Sequence, residues 1–214
     1  MALFKPLKPR LVLATHNQGK LAELFAILHE DPLLADLKPT EVVTSGFFGV
    51  EPPVEDGTTF AENALIKARA LAAATGLPAV ADDSGLAVDL MGGSPGILSA
   101  RWCGHHGDDA ANLNLLLGQM GENLDPAHRR AKFVCAAALV TPSGKESVEL
   151  GEMAGVLALE PRGANGFGYD PIFIPDDQPG SLTAAEMSKE QKNQISHRAQ
   201  AFKKLTPAIA QALR

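Results

Sequence analysis

Several polar stretches of this chain have the composition that phosphate chemistry requires. Thr15-His16-Asn17-Gln18-Gly19-Lys20 combines backbone N–H groups, a hydroxyl and an ammonium, the donors from which a phosphate cradle is built. With one glycine and no Walker A spacing, the same residues also suit an ordinary polar turn capping a helix. Asp82 and Asp83, with Glu55 upstream, are hard oxygen donors of the kind Mg²⁺ takes alongside substrate phosphates. Asp-Asp-Ser-Gly is equally a common solvated turn. Lys67 is either a cation beside those carboxylates or a solvated helix lysine.

Further along, Phe167-Gly168-Tyr169-Asp170 follows Gly163 and Gly166. An aromatic in so flexible a loop can stack on a base while Asp170 pairs with its edge, or it can plug the core. Lys192, His197 and Arg198 gather where a helix is expected to begin, an end attractive to anions and carbonyl oxygens. His105, His106, Asp108 and Asp109 are poorly spaced for a metal, because consecutive histidines cannot share a helix face.

The elements that must carry these groups are legible from periodicity. Leu11 to Ala14 is a short apolar run, and Leu21, Leu24, Phe25 and Leu28 recur at helical spacing after the polar loop, giving strand, loop and helix. A second helix is framed by Thr59 and Glu62 as a capping box, by the stripe Ala61, Ala64, Leu65, Ala68, Leu71, and by Gly76 at its end. Ala79 to Ala81 predicts a buried strand that ends in a turn at Asp82–Gly85, with a second strand over Ala87–Leu90. The glycine-rich segment 92–96 predicts a loop that serves as a lid or dimer contact, and Asp109–Met120 an amphipathic helix. Residues 131–140 and 147–153 flank Pro142-Ser143-Gly144-Lys145, a hairpin expected to form a separate lobe or an edge. Ser196 is the expected N-cap of a last helix that begins at His197 and restarts at Thr206-Pro207.

Totals exclude several classes. The chain has 214 residues, 45% apolar and 21% charged, which suits one globular domain. Nineteen basic against 25 acidic residues leave a net charge of −6, against a role in coating nucleic acid or anionic membranes. Cys103 and Cys135 form no metal or disulfide pattern, so a reducing cytoplasm is expected. No apolar run approaches the roughly 20 residues of a membrane helix.

Taken together, T-H-N-Q-G-K, E-D-G-T-T-F-A-E-N-A-L-I-K-A, A-D-D-S-G-L-A-V-D, G-G-x-P-G-I-x-S-A-R, G-F-G-Y-D-P-I-F and I-S-H-R resemble, in order and spacing, the inosine/xanthosine triphosphate pyrophosphatases. These are the non-canonical purine nucleoside triphosphate pyrophosphatases, or Ham1 family, and the resemblance runs from about Leu11 to the C-terminus. It implies an α/β fold of two lobes around a long mixed sheet flanked by helices, a homodimer and a Mg²⁺ requirement. The implied reaction is hydrolysis of ITP, dITP or XTP to monophosphate and pyrophosphate. By the same resemblance, Thr15, His16, Asn17, Gln18, Gly19 and Lys20 form the first phosphate loop. Asp83 is the general base and a metal ligand, Glu55 the second ligand, Lys67 the lysine beside the catalytic carboxylate and Ser84 a substrate contact. Phe167, Gly168, Tyr169, Asp170, Lys192, His197 and Arg198 match the segments that hold base and phosphates. The residues by themselves leave open a nucleotide phosphatase of other base specificity or cleavage position, and a nucleotide sensor without turnover.

Overall fold

The computed structural model describes residues 8–15, 18–121 and 125–214. Among them lie strands β1 (Leu11–Leu13), β2 (Val42–Thr44), β3 (Ala79–Val88), β4 (Arg130–Val140), β5 (Glu146–Leu157) and β6 (Phe173–Pro175). The α-helices are α1 (Gln18–His29), α2 (Phe60–Thr75), α3 (Asp109–Met120), α4 (Lys189–Ile195) and α5 (His197–Ala212). The strands hydrogen-bond in the order β2-β1-β3-β4-β5-β6. β1 runs parallel to β2 and β3, whereas β6 is antiparallel to β5. The sheet is therefore mixed, and the expected α/β class is the one observed.

The chain forms two compact units, the first running to Asp83 and adding Ala136–Glu149 and Ala201–Arg214, the second comprising Ser84–Cys135 and Leu150–Gln200. In the first, Ala64, Ala68, Leu71 and Ala72 of α2 pack against Val12, Val43, Ala79, Ala81, Ala136 and Ala138 of the strands. The helix starts where its sequence says it should. The Thr59 hydroxyl accepts the Glu62 N–H, Glu62 reaches back to the Thr59 N–H, and Gly76 closes the other end at φ 66°, a left-handed conformation that suits glycine. In the second unit, Leu86, Leu113, Leu116, Phe133, Met153 and Phe173 form the centre of a core that includes Tyr169. The Trp102 ring packs against this core and its Nε1–H donates to Gln119 Oε1 at 2.7 Å.

Four expectations need correction. No turn interrupts Asp82–Gly85: β3 continues from Ala79 to Val88, because the residues on both sides are buried strand formers and the two carboxylates find cations without leaving the sheet. The hairpin strands are neither an edge nor a separate lobe, since β4 and β5 lie between β3 and β6. Phe133 to Val140 is buried without a break, the pattern of a strand covered on both faces. α5 does not restart at Pro207 but carries it inside one continuous helix. Lys192 lies in the last turn of α4, not at a helix start.

Glu62 makes the α2 cap sensitive to pH. The Thr58 hydroxyl and N–H donate to its carboxylate and hold it below the ordinary glutamate range, against a smaller opposing effect of burial. A folded value below the unfolded one means that the cap stabilises fully above the ordinary carboxylate range and loses this contribution as pH falls through the lowered value. Thr59→Ala should cost about 1 kcal/mol in urea unfolding at neutral pH, and Glu62→Gln should flatten the acid limb of stability.

Candidate active site

Adjacent residues of a strand point to opposite faces, so Asp82 and Asp83 meet different ion-pair partners. Asp83 shares its face with Ala79 and Ala81, which α2 covers, and α2 supplies its partners. Lys67 Nζ lies 3.3 Å from Asp83 Oδ1 and 3.1 Å from Glu55 Oε2, and Asn63 Nδ2 donates to Asp83 Oδ2 at 3.2 Å. Asp82, 8% exposed, faces the other way and meets Lys20 of α1 at 3.9 Å. One dipeptide thus places one carboxylate against each of two helices.

The cluster is strongly polarised. Burial acts to lower the pKa of the Lys67 ammonium, but the charges of Asp83, Glu55 and Asp82 outweigh it and raise the group above the ordinary lysine value. Burial raises the Asp83 carboxyl above the usual aspartate range, with Glu55 adding to that effect and Lys67 and Asn63 opposing it. Among the described residues, two carboxylates, Glu55 and Asp83, share the one ammonium of Lys67, leaving negative charge that a further cation would offset. Glu55 and Asp83, both within 3.3 Å of the same ammonium, form a donor set that fits Mg²⁺. Among the described residues no group of three or more His, Cys, Asp or Glu is disposed to hold a metal. Mg²⁺ commonly takes one or two carboxylates and completes its shell with water and phosphate oxygens.

Thr15 follows β1, and its carbonyl accepts the Ser45 hydroxyl at 3.1 Å. Gln18, Gly19 and Lys20 open α1, so the expected strand and the expected helix are both present. His16 and Asn17 lie outside the described residues.

In the second unit, Ser84 follows Asp83 along β3, and the Phe167–Asp170 segment is organised around one carboxylate. Asp170, 2% exposed, accepts the Phe167 N–H at 2.9 Å and the Lys192 ammonium. Lys192 Nζ also stands 5.3 Å from the centre of the Phe167 ring, a cation–π arrangement. The Gly168 N–H donates to Asp109 Oδ2 at 2.8 Å, and the Tyr169 hydroxyl donates to the Ser99 carbonyl at 2.9 Å. The two aromatics therefore divide the roles that the sequence left joined: Tyr169 is 4% exposed and fills the core, while Phe167 is 62% exposed and has a face to offer. Asp170 is engaged by its own loop and Lys192. Ser196 caps α5 as expected, its hydroxyl accepting the Ala199 N–H. The His197 ring stacks on Phe133 at 5.0 Å, and Arg198 is buried.

Sequence reasoning passed over Asn63, Ser45, Ser99 and the anchoring role of Asp109. Ser188-Lys189-Glu190-Gln191, the capping box that starts α4, was a readable signal. The others act through contacts distant in sequence and leave no local signature.

The mixed α/β sheet belongs to a known structural class. The fold matches a HAM1 protein from Coxiella burnetii at TM-score 0.81, with 40% identity over 95% of this chain and 100% of that one. It also matches a nucleoside-triphosphatase / dITP/XTP pyrophosphatase from Mycobacterium abscessus at TM-score 0.75, with 47% identity over 94% and 99%. The dITP/XTP pyrophosphatase of Streptomyces avermitilis is 54% identical over 204 residues, 95% of this chain and 98% of that protein. The Ham1 family model matches residues 11–208, and the chain belongs to the Ham1 family.

Gly166 holds φ +78°, and a Cβ there would collide with the Asp170 carboxylate. Gly166→Ala should therefore lower stability by more than about 1 kcal/mol and increase hydrogen exchange at the Phe167 and Gly168 amides, while leaving exchange in α2 unchanged.

Proposed function

We infer that this chain hydrolyses non-canonical purine nucleoside triphosphates, ITP, dITP and XTP, to the nucleoside monophosphate and pyrophosphate, removing them from the nucleotide pool. The reading is supported by family membership and by near-full-length identity to proteins named dITP/XTP pyrophosphatases. The observation that carries its chemistry is the Lys67 ammonium held between Glu55 and Asp83.

The part assigned to each group follows from its charge and place. Glu55 and Asp83 would hold Mg²⁺, which when bound supplies positive charge against the polyphosphate and acidifies water. Asp83 orients the attacking water and accepts its proton at a carboxylate oxygen. Lys67, raised above the ordinary lysine value by its neighbours, stays charged and stabilises charge that develops as pyrophosphate leaves. Thr15 to Lys20 bind phosphate oxygens, and Ser84 offers a hydroxyl. In the second unit, Phe167 stacks on the purine, and Lys192, His197 and Arg198 donate toward base and phosphate. Hypoxanthine and xanthine present a carbonyl at C6 where adenine presents an amine, so donors from His197 or Arg198 would leave adenine unpaired. Two finer points belong to the same proposal: a homodimer, as the family resemblance implies, and a cytoplasmic location, which suits the two free cysteines.

Purified protein with Mg²⁺ and ITP or XTP should release monophosphate and pyrophosphate, with ATP a poor substrate and EDTA abolishing turnover. Asp83→Asn should lower kcat about a thousandfold and Lys67→Met about a hundredfold. Release of orthophosphate, or equal turnover of ATP, would overturn the specificity; measurable nucleotide binding without turnover by the wild type would favour the sensor.

A further inference from the structure

Asn63 is 1% exposed and lies on α2 one turn before Lys67, so the two side chains reach the same side of the helix. Both ends of its amide are engaged: Nδ2 donates to Asp83 Oδ2 at 3.2 Å, and Oδ1 accepts the Gly57 N–H at 2.9 Å. The orientation of that amide is fixed by its partners, because a carboxylate only accepts and a peptide N–H only donates. Lys67 meets the other oxygen of the same carboxylate, Asp83 Oδ1. Both oxygens of Asp83 are therefore held by side chains one helical turn apart, and its plane is defined. Gly57 stands two residues after Glu55, and a Cβ on it would come within 2.6 Å of Asn63 Oδ1. The loop that carries Glu55 is thus closed tightly onto the same amide.

We propose that Asn63 is the positioning residue that sets the Asp83 carboxylate in register with the Glu55 loop. Asparagine suits the place because one planar group presents a donor to the carboxylate and an acceptor to the peptide N–H. Aspartate would set a second carboxylate against Asp83, and leucine would leave the Gly57 N–H unpaired. The kinetic consequence rests on the function proposed above, in which Asp83 handles the attacking water; the contact itself does not.

The test uses two variants of the full chain with Mg²⁺ and ITP. Asn63→Asp keeps the acceptor for Gly57 and loses the donor to Asp83, whereas Asn63→Leu keeps the branch at Cγ in a larger side chain and loses both. Both should lower kcat roughly 10- to 100-fold while KM stays within about threefold. Hydrogen exchange should show the Gly57 amide still protected in Asn63→Asp and exposed in Asn63→Leu. Wild-type kcat in Asn63→Asp, with Gly57 still protected, would reduce Asn63 to a loop clamp and overturn the proposal. Should Asn63→Leu fail to fold, Asn63→Asp decides alone. A readout independent of activity is the nitrogen-15 side-chain amide signal of Asn63, which should shift in Asp83→Ala; an unmoved signal overturns the contact. Wild-type protein that leaves ITP intact would sink the functional reading, while the amide signal would still decide the contact, so the two failures are told apart.

Discussion

Two neighbouring carboxylates in the middle of a buried strand impose the constraint around which the first unit is organised. Ionised side chains in such a place need partners, because an unpaired charge removed from water costs several kcal/mol. The alternation of a strand sends Asp82 and Asp83 to different faces, so their partners must come from different helices. α1 supplies Lys20 and α2 supplies Lys67 and Asn63. The small residues Ala64 and Ala68 bring α2 close to the strands, which lets short side chains such as Asn63 reach Asp83. The cap at Thr59 and Glu62 fixes where α2 begins and therefore where Asn63 and Lys67 stand along it.

The second unit follows a comparable economy. The Asp170 carboxylate gathers the Phe167 N–H and the Lys192 ammonium, and Gly166 stays a glycine because its side-chain space is filled by that carboxylate. The loop is pinned at two further points, Gly168 to Asp109 and Tyr169 to Ser99. With the backbone fixed on both sides, the exposed Phe167 ring presents a stable face, and the ammonium near it adds positive charge to one side.

Much of this was legible in the sequence, and what was not has a physical explanation. The cap, stripe and terminator of α2 are local signals, and the helix runs from Phe60 to Thr75 as they predict. α3 likewise spans Asp109–Met120 as its periodicity predicts. The turn expected at Asp82–Gly85 is absent because local propensity counts polar residues against a strand, whereas the fold provides Lys20 and Lys67 from elsewhere in the chain. The edge position expected for the hairpin is absent because strand order depends on pairings distant in sequence. Tyr169 and Phe167 looked interchangeable as loop aromatics; only the Ser99 carbonyl, some 70 residues upstream, distinguishes the one that is buried. Asn63 drew no attention because a helix asparagine has no signature until the strand beside it is known.

The chain contains one tryptophan and one tyrosine, and both Trp102 and Tyr169 belong to the second unit. The first unit, with the Glu55, Lys67 and Asp83 cluster, has neither chromophore. Intrinsic fluorescence therefore watches one half of the molecule and is blind to the half that holds the carboxylates. An unfolding curve followed by that signal describes the second unit alone, and it becomes a property of the whole chain only where backbone dichroism falls along the same curve.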